Sequence, residues 1–193
     1  MMATYMRYEN LLIFCVVAIL TWFMTIYFWP RIFLNVYKRA LLTKGFEGPV
    51  PINTLATAPP SIFADPLHPP PSATKLATTG VNHDTLATAG VLDLRYGPRV
   101  LRVPDMAGRY YSVQFTAPNN TVFAYVGKRA TGTNAGDYLI TGPGWKGEVP
   151  SGMKHISSPT NSVFILGRTL VYNESDIPQA YNLAKEIQLT APK

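Results

Sequence analysis

Hydrophobic positions follow three successive patterns along the chain. Residues 11–29, LLIFCVVAILTWFMTIYFW, carry no charge at all. As a helix this stretch would rise roughly 28 Å, close to the hydrocarbon thickness of a bilayer. A helix satisfies its own backbone polar groups in lipid, so the run predicts one transmembrane span. Leu11, Phe14, Trp22, Phe23, Tyr27 and Trp29 are the expected anchor side chains, the last aromatics settling at headgroup level. The run is too long for the core of a signal peptide, and Thr21-Trp22-Phe23 is no small-residue cleavage site, so an uncleaved anchor over residues 1–30 is expected.

Residues 31–48 change period. Ile32, Phe33, Val36, Tyr37, Ala40 and Leu41 recur at three- and four-residue intervals, with Asn35, Lys38, Arg39 and Thr43 largely opposite. That spacing predicts an amphipathic helix lying in the membrane interface, or equally a bent continuation of the span past Pro30. Arg31, Lys38, Arg39 and Lys44 would then snorkel toward lipid headgroups. Gly45 and Gly48-Pro49 end the segment in either case. Residues 49–79 are rich in Pro, Ala, Thr and Ser and include Pro69-Pro70-Pro71. Proline locks φ and removes a donor, which predicts an extended tether.

From residue 80 the pattern becomes short β-type runs separated by Gly/Pro/Asn turns. Strands are expected at 88–94, 99–103, 110–117, 122–126, 137–141, 154–157, 162–168 and 170–172, with one helix at 175–189 capped by Ser175. Ile177, Ala180, Tyr181, Ala184 and Ile187 would form its packed face. The fold class is therefore mainly β: a single N-terminal transmembrane helix, a proline-rich tether, and an antiparallel β-sandwich or barrel-like domain over 80–193 with a C-terminal helix.

Charge alters this picture little. The chain carries +6, but residues 49–193 hold twelve Lys/Arg against nine Asp/Glu, dispersed rather than striped, so nucleic acid is not an expected partner. Basic residues after the run outnumber those before it, which by itself favours a cytoplasmic domain. The one cysteine, Cys15, lies inside the apolar run, so neither an intrachain disulfide nor a cysteine metal site is expected.

Five ordered blocks carry a resemblance: GVNHDTL at 80–86, DLRYGPRVLRVPD at 93–105, GRYYSVQF at 108–115, GDYLITGPGWKGEVPSG at 136–152 and SPTNSVFILGRT at 158–169. Together they resemble the bacterial domain of unknown function family 1254. The Phe63-Ala64-Asp65-Pro66 element after a single span is similar to its shorter, single-span branch. The resemblance implies a β-rich domain, commonly exported to the envelope, and no established reaction or cofactor. It also implies a frequent second domain, family 1214, that is not expected in these residues. It points the domain toward the periplasmic side of the bacterial inner membrane, against the charge count.

Candidate chemistry is sparse. Gly142-Pro-Gly-Trp-Lys-Gly147 matches the spacing of a dinucleotide-binding loop, but the next residues, EVPSG at 148–152, cannot begin the helix such a site needs. His83 beside Asp84 would make a base and its orienter only if the two met, and neighbours on a strand point to opposite faces. Three scattered histidines give no zinc spacing. No catalytic residue, metal or cofactor is therefore expected, beyond lipid or pigment contacts along the span. Arg109, Tyr110, Tyr111, Trp145 and Lys146 are the expected exposed contact residues, since Arg and aromatics favour interface centres; the alternative is that the tyrosines are core and Trp145 covers a barrel end. The expected function is a non-catalytic accessory subunit bracing a larger bacterial membrane complex with other integral subunits, photosynthetic reaction-centre and light-harvesting assemblies before respiratory ones. The competing class is an envelope enzyme or small-molecule binder with a pocket in the β domain.

Overall fold

A computed structural model describes residues 2–61 and 84–192. Helix α1 spans Met2–Thr43 without a break at Pro30. Proline removes one backbone bond there, and the Arg31 guanidinium donates to the Tyr27 carbonyl in the loosened turn while lying 3.8 Å from the Tyr27 ring centre. The Asn10–Thr43 part is long and apolar enough to cross a bilayer, and its most apolar stretch, of mean hydropathy 2.5, is covered by no other part of the described residues.

Beyond α1 the strands form two sheets. Sheet A has the order β1-β2-β8-β4-β5 and sheet B the order β7-β6-β3-β9. In chain order the strands are β1 (Leu55–Thr57), β2 (Thr85–Asp93), β3 (Arg99–Val103), β4 (Tyr111–Thr116), β5 (Val122–Gly127), β6 (Gly136–Thr141), β7 (Lys154–Ser157), β8 (Ser162–Leu170) and β9 (Gln188–Thr190). Helix α2, Ile177–Glu186, lies between β8 and β9. The inner faces share one core: Leu92, Val113, Phe115 and Ile165 from sheet A meet Leu101, Val103, Tyr138 and Ile140 from sheet B. The mainly β reading thus holds, as an open sandwich rather than a closed barrel.

Several local expectations need correction. The runs at 162–168 and 170–172 are largely one strand, β8, paired along its length with β2. The final strand β9 takes residues assigned to the helix, and Asp176 rather than Ser175 precedes α2. Ser175 instead donates to Asn173 Oδ1 at 2.6 Å. The β6–β7 pair is parallel, made possible by the long intervening loop, since parallel neighbours need an extended crossover. Residues 50–58 are no free tether: Val50 and Ala58 are buried, and β1 pairs with β2. Gly90 permits that pairing, because a Cβ there would lie 2.3 Å from the Thr54 carbonyl oxygen. Much of the remaining tether, with Phe63, His68 and the triple proline, lies outside the described residues, as does His83.

The larger correction concerns α1 after Pro30. Its buried face is Leu34, Tyr37, Lys38 and Leu41, docked on protein rather than laid in an interface. Leu34 and Leu41 pack with Ala89, Val91 and Phe164 on the outer face of sheet A, and the Tyr37 ring meets Phe164 edge-on with centres 5.3 Å apart. Ala87 and Ala89 keep that face shallow enough for a helix to lie on it. Gly45, at φ +55, turns the chain off the helix, its N–H reaching the Ala40 carbonyl at 3.1 Å, and Phe46 and Val50 then close over the same cluster. Ile32, Phe33 and Val36, expected on the amphipathic face, are instead about half exposed on the opposite side.

Candidate functional site

Two side-chain assemblies hold the helices to the sandwich, and both use residues expected elsewhere. The first joins α1 to the sheets. Lys38 Nζ donates to Ser162 Oγ at 2.5 Å, at the edge where Asp93 ends β2. Asp93 is gripped by Arg95, Nε at 2.9 Å and Nη2 at 2.5 Å, and accepts from the Arg95 backbone N–H at 3.1 Å. Those bonds hold its carboxyl below the usual carboxylate range, with the nearby Lys38 charge adding a smaller pull. Lys38 is thus a docking residue rather than a headgroup contact, because its ammonium finds partners on the sheet. Arg39 and Lys44 remain exposed.

The second assembly ties α2 to sheet A. Arg109 is 5% exposed, and its guanidinium meets Asp176 twice, at 2.5 and 2.7 Å. The same Nη1 donates to the Leu170 carbonyl at 2.8 Å, and the guanidinium carbon lies 4.8 Å from the Tyr172 ring centre. Asp176 also accepts from the Tyr172 N–H at 2.8 Å. Hydrogen bonding from Arg109 holds the Asp176 carboxyl below its ordinary range, against the opposing effect of burial. Arg109 is therefore an internal clamp, and the expectation that it is exposed for a partner is corrected.

Tyr111 is corrected in the same way. It is fully buried in the sandwich core, which pushes its hydroxyl pKa up. Tyr111 and Thr169 are cross-strand neighbours, and Tyr111 Oη and Thr169 Oγ1 are buried without a hydrogen-bond partner among the described residues. Tyr110, half buried, lies on the outer side with Arg129 over its ring at 5.6 Å. Trp145 is half buried against His155, ring centres 5.5 Å apart, and Lys146 is exposed beside it. The five expected contact residues thus do not form one surface.

His155 Nε2 meets Thr141 Oγ1 at 2.9 Å, which gives it a hydroxyl rather than a carboxylate partner. Among the described residues no three His, Cys, Asp or Glu side chains gather as a metal site. The Gly142–Gly147 loop leads into irregular chain and then β7, so no helix follows it. Open clefts are present among the described residues. One lies between β1 and α2, near Tyr181 and Lys185, another beside Arg102 and Asp137, and a third on the outer face of β4 and β5 between Arg168 and Arg129.

The family model described as "Protein of unknown function (DUF1254)" matches residues 65–191. No curated protein matches the chain. Among solved structures, the VPA0106 protein from Vibrio parahaemolyticus is similar in fold, with a TM-score of 0.62 at 23% identity. The similarity covers 88% of this chain and 39% of that one, so the chain spans well under half the length of this structural relative.

Proposed function

The chain belongs to the DUF1254 family of proteins of unknown function, and from the way α1 is docked we propose that it is a non-catalytic, membrane-anchored accessory subunit. In this reading it braces a larger bacterial membrane complex from the periplasmic face of the inner membrane. The observation that carries the reading is the double use of α1. One side of its last turns, Leu34 to Leu41, is packed on the sandwich. The other side keeps Ile32, Phe33 and Val36 exposed, in continuity with the bare apolar run that ends at Trp29.

A simple anchor needs only enough apolar length to span. From Leu11 to Val36 the helix rises about 38 Å, against roughly 30 Å of hydrocarbon. The surplus, together with exposed Phe14, Trp22, Phe23, Phe28 and Trp29, suits packing against other helices or pigments. With α1 fixed to the sheet, a partner that grips the helix also sets the position of the β domain, which is what a brace requires. Photosynthetic reaction-centre and light-harvesting assemblies, built largely from single-span subunits, are the first candidates for the host, and respiratory complexes the second.

Mild-detergent extraction of a tagged copy from its native membrane tests this. A fixed stoichiometric set of integral membrane proteins should co-purify, with pigment absorbance if the host is photosynthetic. Recovery of the chain alone, under conditions that keep other complexes intact, would sink the proposal.

A further inference from the structure

Sheet A has an outer face that α1 covers only in part. The helix occupies the β2 side and the start of β8; the rest, on β8, β4 and β5, is an open cleft of 540 Å³. Register explains its shape. Arg168 stands beside Ser112, which stands beside Gly127, and one rung along Leu166 stands beside Gln114 and then Tyr125. Gly127 offers no side chain, and a Cβ there would lie 2.5 Å from the Tyr111 carbonyl oxygen, so the first row ends in a notch. Arg129, in the turn after β5, lies over the Tyr110 ring on the far side. The polar side chains of the cleft are those of Arg168, Arg129, Tyr110, Tyr125, Ser112 and Gln114, and its lining holds no carboxylate.

These two arginines differ from the others of the sandwich. Arg102 and Arg109 each hold an aspartate through two side-chain hydrogen bonds and Arg95 holds one through three, while Arg99 donates to a backbone carbonyl. Arg168 and Arg129 are exposed and join no hydrogen bond or ion pair among the described residues. Two free guanidiniums beside phenol and hydroxyl donors suit a phosphate, which accepts from several directions at once.

Position selects the source of that phosphate. Phe164, Leu166 and Arg168 follow one another on the outer face of β8, and Tyr37 of α1 packs on Phe164 and lies within electrostatic reach of Arg168. On the far side of α1 the exposed apolar stripe stops one residue earlier, at Val36. The cleft therefore stands at the level along the helix where a lipid-facing surface would give way to headgroups. We propose that this cleft binds the phosphate of an anionic phospholipid, with Arg168 and Arg129 as its principal ligands. The proposal rests on the membrane-anchored reading of α1 and does not depend on the host complex.

Native mass spectrometry of the full chain in mild non-ionic detergent provides the test, with phosphatidylglycerol and phosphatidylcholine added separately. The wild-type chain should retain one phosphatidylglycerol at roughly tenfold lower concentration than phosphatidylcholine, whose choline cation offsets its phosphate charge and is repelled by the two guanidiniums. The R129Q/R168Q chain should lose that preference while melting unchanged, because both side chains are exposed. An R39Q chain, altered on an exposed basic residue of α1, should keep it. Equal retention of the two lipids by the wild type, or an unchanged preference in R129Q/R168Q, overturns the proposal. If inorganic phosphate binds in an Arg168-dependent way while phosphatidylglycerol is not retained, a soluble phosphate ester is the occupant and the lipid source is wrong. A chain that stays soluble without detergent would refute the anchored reading on its own, whatever the lipid arms give.

Discussion

Arg109 illustrates how far a residue's type can mislead about its role. Arg next to two tyrosines has the composition of a contact patch, yet its guanidinium is spent on Asp176 and the Leu170 carbonyl. Nothing near Arg109 in the chain signals this, since Asp176 lies far along in sequence and the pair exists only once β8 brings α2 across. The pair has a pH signature. Asp176 has a folded pKa below its unfolded value near 3.9, so its contribution is fully present above that value and is lost as pH falls through the folded pKa. Acid unfolding of the wild-type chain should therefore show stability falling below about pH 4. Asp176→Asn should be less stable at pH 7 by about 2 kcal/mol, with a shallower acid slope, as denaturant titrations at several pH values would show. An acid slope as steep as wild type would assign it to other carboxylates. Thr169→Val tests the orphaned hydroxyl beside Tyr111. Replacing an unpaired buried hydroxyl by a methyl of similar shape should leave stability unchanged or raise it by up to about 1 kcal/mol. A clear drop in melting temperature would mean the hydroxyl is bonded after all.

At the level of elements, what could be read from the sequence depended on how local each signal was. β3, β5, β6 and β7 emerge almost at their observed limits, because each is a short β-branched or aromatic run between strong turn residues. β1 and β9 are three residues each and exist through their partners, β2 and β3, so no window of sequence could reveal them. The docking of α1 was half visible. Leu34, Tyr37, Lys38 and Leu41 fall at intervals of three, one and three, a helix face as regular as that of Ile32, Phe33, Val36, Tyr37, Ala40 and Leu41, but a lysine within it argues for water. A second clue lay in β2, whose sequence TLATAGVLD barely alternates, and eight of its nine residues are buried. A strand covered on both faces has this look, and here the second cover is α1. Removing part of that cover should loosen the arm. Leu41→Ala should cost about 3 kcal/mol, measured as a lower unfolding midpoint for the full chain in detergent. A cost under about 0.5 kcal/mol would mean that the docked face contributes little.

For the whole molecule, the candidate site was the least legible part. The cleft between Arg168 and Arg129 draws on β4, β5 and β8, and its arginines stand out only because the other arginines of the sandwich find partners once the strands are paired. Sidedness was equally indirect, since the charge count and the family resemblance point opposite ways. An engineered thiol at Asn119, in a chain with Cys15 replaced by serine, resolves this. A membrane-impermeant maleimide should label it in intact spheroplasts if the domain is periplasmic, and protection from the reagent would reverse the assignment. α1 and the sandwich move as one body, because Leu34, Tyr37, Lys38 and Leu41 hold the helix to sheet A and α1 runs unbroken through Pro30. This is tested most directly by a spin-label distance between Leu20→Cys on α1 and Lys128→Cys after β5, in the Cys15→Ser chain reconstituted in nanodiscs. One narrow distance distribution is the result expected of a docked helix; a broad or multiple distribution, reporting a hinge at Pro30 or an undocked helix, would contradict it.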